Sequence, residues 1–183
     1  MPLVLILLAL TKHIIKYCFF LLLFLLNSSF VTEETELKIG DKIPFFETKL
    51  INNRDFKISS LLGSYTLIQF WASWDLPSLK IQSELIKTYG KFKDTKFTDG
   101  KKFNVVSISI DQKEETLITT LKRELYPWQY HICDYNGWNS PLIDSFNIEN
   151  IPSNFLINPK GVIIAKNLFY EDLDKDLVKY LNK

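Results

Sequence analysis

Residues 67–78 read LIQFWASWDLPS, and this stretch decides the fold. Its first part belongs to a longer run, Tyr65 to Trp71 (YTLIQFW), set off by Gly63. The run is uncharged and rich in aromatic and aliphatic side chains, which predicts a buried strand. Trp71 closes the strand and Trp74 sits in the turn after it. A helix is expected next, over Pro77 to Tyr89, because Leu79, Ile81, Leu85, Ile86 and Tyr89 recur with helical spacing before Gly90. Pro77 suits a first helical turn. Asp75 has the chemistry of an N-cap, whose carboxylate can accept from the backbone N–H of Ser78.

Working outward, Phe45 to Leu50 and Phe56 to Ile58 flank the turn pair Asn52-Asn53 and predict a hairpin. Phe103 to Ile110 (FNVVSISI) reads as a second buried strand. Lys113 to Leu125 reads as a helix with Leu117, Ile118, Leu121 and Leu125 on one face. A short strand over Gln129 to Cys133 and a short helix over Pro141 to Phe146 follow. Phe155 to Ile157 and Val162 to Ala165 are strands joined by Asn158-Pro159-Lys160-Gly161, a strong turn signal. Glu171 to Leu181 closes the chain as a helix. The order β, β, β, α, β, α, β, α, β, β, α implies an α/β fold, its mixed sheet flanked by helices and ending in an antiparallel hairpin. No internal repeat is present.

A length of 183 residues suits one domain. A formal charge of +1 leaves no basic field, so no nucleic-acid partner is expected. Two cysteines cannot build a disulfide scaffold or a four-cysteine zinc site. The charge is unevenly spread. Residues 1–30 carry no acid and only Lys12 and Lys16 as firm charges, so the remainder sits at −1. Tyr17 to Leu26 (YCFFLLLFLL) is too short for a span of ~20 apolar residues but fits the ~7–15 of a signal-peptide core. Basic residues precede it, and Glu33, Glu34 and Glu36 follow, so the remainder is expected to be exported. A second apolar run, Leu3 to Leu10, leaves two possibilities. Either the natural start lies near Leu10 or Thr11 and a signal is cleaved near Asn27-Ser28-Ser29, or one uncleaved anchor begins at residue 2. The expected organisation is residues 1–30 as signal or anchor, 31–36 as linker and 37–183 as the folded domain. Cys18 lies in the first part, so the exported part has Cys133 alone and no internal disulfide.

The strand–turn–helix segment resembles the thioredoxin superfamily. Its likeness is to the envelope thiol–disulfide oxidoreductases of the TlpA/ResA type, grouped with the AhpC/TSA-like redoxins. Their pattern is a strand, then F-W-A-x-W-C-x-P-C, then a helix. LKIGDKIP at residues 37–44 resembles the family's entry and VVSISID at 105–111 its next strand. Ile151-Pro152-Ser153, followed by FLINPKGVII, resembles its cis-proline loop and terminal hairpin. The likeness covers residues 37–183 and implies a thioredoxin-like three-layer α/β/α fold.

The same resemblance places the two family cysteines on Asp75 and Ser78, so no catalytic pair is intact. Dithiol exchange needs an attacking thiolate and a second, resolving thiol. Neither a carboxylate nor a hydroxyl supplies these. Gln69 stands where many thioredoxins carry a buried acid, and Ile81 where ResA-like proteins carry a glutamate. Asp75 is therefore read as a structural cap rather than a catalytic carboxylate. The expected function is a redox-inactive binding or accessory module of the bacterial cell envelope. Its partner-binding groove would be formed by Trp74, Pro77, Ile151 and Pro152, its partner an unidentified protein or extended peptide. No cofactor is expected, and membrane contact only through the N-terminal segment if it stays uncleaved. The alternative is a thiol–disulfide oxidoreductase or peroxidase, as the family alone suggests. A third possibility is a stability-only domain of a larger assembly.

His131 and Cys133 share one face of a predicted strand, but two ligands make no metal site, so Cys133 is read as an inert thiol and no metal is expected. Trp71 and Trp138 are read as packing, and Trp74 as an exposed contact residue. The lysines of 91–96 and 101–102 are read as solvated loops.

Overall fold

The computed structural model describes residues 15–17 and 36–180. The chain divides into two compact units, 1–35 and 36–183. Of the first, only Ile15 to Tyr17 are described, and they are helical. The expectations for the signal or anchor, Cys18, the linker up to 35 and Leu181 lie outside the described residues.

The second unit runs β1 (Glu47–Lys49), β2 (Asp55–Lys57), β3 (Tyr65–Trp71), α1 (Leu76–Phe92), β4 (Phe103–Ser109), α2 (Glu114–Glu124), β5 (Tyr130–Ile132), α3 (Pro141–Phe146), β6 (Ser153–Ile157), β7 (Ile163–Lys166) and α4 (Tyr170–Val178). β1 and β2 form an antiparallel pair, and the main sheet has the order β5-β4-β3-β6-β7. β3 is central: it runs parallel to β4 and antiparallel to β6, with Leu67 opposite Val105 on one side and Leu156 on the other. The β6–β7 hairpin closes through a turn in which the Gly161 N–H donates to the Asn158 carbonyl at 2.9 Å. Gly161 has φ +75°, a backbone state that side chains disfavour.

Side chains alternate along a strand, so each central strand feeds two cores. Ile68 and Phe70 of β3, with Val106 and Ile108 of β4, pack on one face against Ile143 and Phe146 of α3 and the hairpin residues Phe46 and Phe56. Leu67 and Trp71, with Phe103 and Val105, pack on the other against Leu85 and Phe92 of α1 and Leu173 and Leu177 of α4. The arrangement is the expected three-layer α/β/α fold with a terminal antiparallel hairpin.

Three expectations need correction. α1 continues through Gly90 to Phe92. A mid-helix glycine costs only ~1 kcal/mol. Here the last turn is held by Phe92, fully buried against Phe97, and by Lys91, whose Nζ lies 2.8 Å from Asp174. The most buried face of α1 is Ser78, Gln82, Leu85, Thr88 and Phe92, not the purely apolar set. Gln82 finds a buried partner in Gln69, and Thr88 in Asp174. Finally, Leu125 and Trp138 are exposed. Leu125 terminates α2 in the left-handed conformation (φ 52°), which turns its side chain away from the face of Leu117.

Candidate functional site

The turn between β3 and α1 is anchored from below. Asp111, buried just after β4, accepts from the Ser73 N–H at 2.9 Å and from the hydroxyls of Ser73 and Ser109. A buried carboxylate needs such donors. They also fix where the following residues, Trp74 to Ser78, emerge.

Asp75 is the N-cap of α1, with extended backbone (φ −91°, ψ 105°). Its Oδ2 accepts from the Ser78 N–H at 2.8 Å. Pro77 lies in the first turn, as expected. Ser78 is fully buried, and its hydroxyl has no partner. Trp74 and Leu76 on either side of Asp75 are 55% and 76% exposed.

Beneath the turn, Gln69 forms a closed neutral network. Its Nε2 donates to Ser107 Oγ at 2.9 Å and to Gln82 Oε1 at 3.3 Å, and its Oε1 accepts from Tyr170 Oη at 2.7 Å. Burial pushes the Tyr170 hydroxyl well above its usual range. No member of this network exchanges a proton near neutrality.

The Ile151–Pro152 peptide bond is cis. Pro77 and Pro152 line one cleft of about 710 Å³. Ile151 instead packs against the core beneath α3, and Trp74 stands outside the cleft lining. The second wall of the cleft, Leu168 to Glu171, was not foreseen. It is pinned by Asn154, whose Nδ2 donates to the Leu168 carbonyl and whose Oδ1 accepts from the Leu168 N–H, both at 2.9 Å. The available signal was an asparagine next to the apolar run of a buried strand, SNFLI.

Cys133 follows β5 and is half-buried. Its thiol donates to the Asp111 carbonyl at 3.3 Å, and burial pushes its pKa up to about 11. Only the thiolate reacts. Iodoacetamide at pH 8 should therefore alkylate Cys133 about 100-fold more slowly than a free thiol; a rate within tenfold of glutathione would contradict the assignment. His131 sits near Tyr126 and Trp128, and its Nε2 lies 2.9 Å from the Trp128 carbonyl. Burial pulls its pKa down to about 4. Among the described residues no group of three or more His, Cys, Asp or Glu is placed to hold a metal ion. No helix among them is long and apolar enough to cross a membrane.

Comparison with known proteins agrees with this geometry. The family model described as thioredoxin-like matches residues 63–163, from the entry of β3 to the start of β7. Among solved structures, the C-terminal domain of a protein described as a thiol-disulfide oxidoreductase from Bacteroides thetaiotaomicron superposes with a TM-score of 0.71 at 33% identity. The match covers 80% of this chain and 97% of that one. A thioredoxin-like protein from Parabacteroides distasonis gives 0.63 at 31% identity, over 78% of this chain and 96% of that one. Among curated proteins, nucleoredoxin of Xenopus laevis is 30% identical over 115 residues, 63% of this chain and 26% of that protein. The chain thus spans about a quarter of the length of the nucleoredoxins it matches. The thiol-disulfide oxidoreductase ResA of Bacillus subtilis is 21% identical over 138 residues, 75% of this chain and 71% of that protein. With the strand order, the motif turn and the family match all converging on residues 63–163, the chain belongs to the thioredoxin-like family, among relatives of the thiol–disulfide oxidoreductase type.

Proposed function

We propose that this chain is a redox-inactive binding module of the bacterial cell envelope, derived from a thiol–disulfide oxidoreductase. The observation that carries the reading is the carboxylate of Asp75 at the N-terminus of α1, 2.8 Å from the Ser78 N–H. A helix N-terminus stabilises an anion there, which in a dithiol enzyme favours the attacking thiolate. Asp75 uses that position as a cap and forms no mixed disulfide. Ser78 offers no resolving thiol. The Gln69 network adds no proton-transfer group. What persists is a surface: the cleft lined by Pro77 and Pro152, and the exposed Trp74 in the turn before α1. Recognition by main-chain pairing and side-chain pockets requires no sulfur.

The purified protein and its Cys133→Ala variant should both reduce insulin no faster than buffer containing dithiothreitol. Turnover that survives Cys133→Ala would overturn the reading in favour of the enzymatic one, which family membership alone supports. The envelope assignment rests on the basic-then-apolar-then-acidic order of residues 12–36. A fusion of residues 1–36 to alkaline phosphatase, which is active only outside the cytoplasm, should be active. Signal only from a matching cytoplasmic reporter would reverse the orientation.

A further inference from the structure

The two ends of the main sheet carry opposite charge. β3, β4, β5 and β7 run one way and β6 the other. The loops at the motif end are therefore residues 72–75, 110–113, 133–140, 147–152 and 167–169. They hold four carboxylates and one lysine, a net −3. The loops at the far end are 62–64, 93–102, 125–129 and 158–162. The entry segment, 37–46, joins them there, because the Ile43 N–H donates to the Gly161 carbonyl at 3.1 Å. This end holds seven lysines and three carboxylates, a net +4, in a chain whose formal charge is only +1.

Apolar side chains stand among these lysines. Phe45 and Leu62 are 66% and 51% exposed. With Ile43, Pro44 and Ile58 they line a shallow hollow of about 220 Å³, flanked by Lys42 and Lys160. Backbone pairing fixes its shape. The Gly63 N–H donates to the Pro159 carbonyl and the Lys101 N–H to the Gly63 carbonyl, both at 2.8 Å. Gly161 leaves room for Leu62, whose Cδ2 is 3.1 Å from where a Cβ at 161 would stand. The carboxylates of this end are engaged. Asp41 accepts from the Lys38 N–H and Asp99 from the Tyr65 hydroxyl, both at 2.8 Å, and Asp94 pairs with Lys93. Among the described residues Lys42, Lys101, Lys102 and Lys160 form no salt bridge.

An apolar partner would strand these lysines, and a soluble acidic partner would leave Phe45 and Leu62 uncovered. The surface of an anionic bilayer offers both headgroup phosphates and an acyl boundary. We propose that this pole of the domain docks on anionic lipid. Phe45 and Leu62 enter the headgroup boundary, and Lys42, Lys101 and Lys160 contact phosphates. The charge at the motif end opposes the reverse orientation. β3 spans seven residues, so the motif turn stands about 20 Å further from the lipid. The cleft lined by Pro77 and Pro152 then faces away from the bilayer. The inference is independent of whether the motif turn is redox-active.

The test uses the full chain in nanodiscs, with Cys18→Ser and Cys133→Ala as background. Residues 1–35 are present in every sample, so the comparisons read the domain. An environment-sensitive nitrobenzoxadiazole dye is placed on Ser59→Cys in the hollow, or on Leu76→Cys at the motif turn. With about 40% phosphatidylglycerol in place of pure phosphatidylcholine, the dye at position 59 should brighten about threefold and shift to the blue, and the dye at 76 should not change. Salt at about 0.5 M NaCl should remove at least half of the response. Replacing Lys42, Lys101 and Lys160 together by Gln, all at exposed positions, should cut it about fivefold. Phe45→Ser should cut it about threefold. Equal signals in the two lipids, or a response at 76 instead of 59, overturn the proposal. A response that follows the number of chains per disc rather than the anionic lipid assigns the face to a second copy and also overturns it.

Discussion

The double substitution Asp75→Cys with Ser78→Cys is expected to give the protein an oxidisable dithiol. Positions three apart in the first turn of a helix hold their Cβ atoms about 5–6 Å apart, within the adjustment a disulfide needs. The N-terminus of α1 then stabilises a thiolate where it now holds a carboxylate. Loss of the Asp75 cap costs about 1 kcal/mol. The change at Ser78 offsets part of this, because a fully buried hydroxyl without a partner gives way to a small apolar thiol. Ellman titration of the denatured full chain should count four thiols after reduction and two after oxidation with diamide, since Cys18 and Cys133 remain. Insulin reduction should appear but stay slow. Gln69 and Ile81 supply no proton, and the Gln69 amide is tied to Ser107, Gln82 and Tyr170. Four thiols persisting after oxidation in a folded variant would show that the turn does not have the geometry described.

The second large effect is on stability in acid. Burial holds His131 neutral, with a folded pKa of about 4 against 6.5 for the free side chain. Its folded pKa is depressed, so the unfolded chain binds the extra proton first as pH falls. The stability His131 contributes is complete above pH 6.5 and drains away between 6.5 and 4. The loss is about 2 kcal/mol at pH 5 and about 3 kcal/mol below pH 4. Urea unfolding at pH 8 and pH 5 should show this difference in the wild type, and His131→Gln should shrink it by about that amount. A wild-type curve unchanged between those pH values would mean that the imidazole is hydrated rather than packed beside the stacked Tyr126 and Trp128.

Local chemistry made β3, the cap at Asp75 and the terminal hairpin legible from the sequence. A short uncharged run rich in aromatic and β-branched side chains favours a buried strand, and an aspartate two residues before a proline at a helix start suits the N-cap. Asn158 to Gly161 likewise states its own turn. The absence of cysteine from the same twelve residues, 67–78, is also plain from the sequence. Long-range pairing had no such local signature. Gln69 and Gln82 are thirteen residues apart, yet each satisfies the other in the core, and Tyr170 joins them from 101 residues away. Composition alone marks such residues as surface-seeking; only the fold supplies the partners that let them be buried. The cleft arose in the same way. Pro77 and Pro152 were legible as turn residues, but Leu168 to Glu171 became its second wall only because Asn154, on the neighbouring strand, holds that backbone in place.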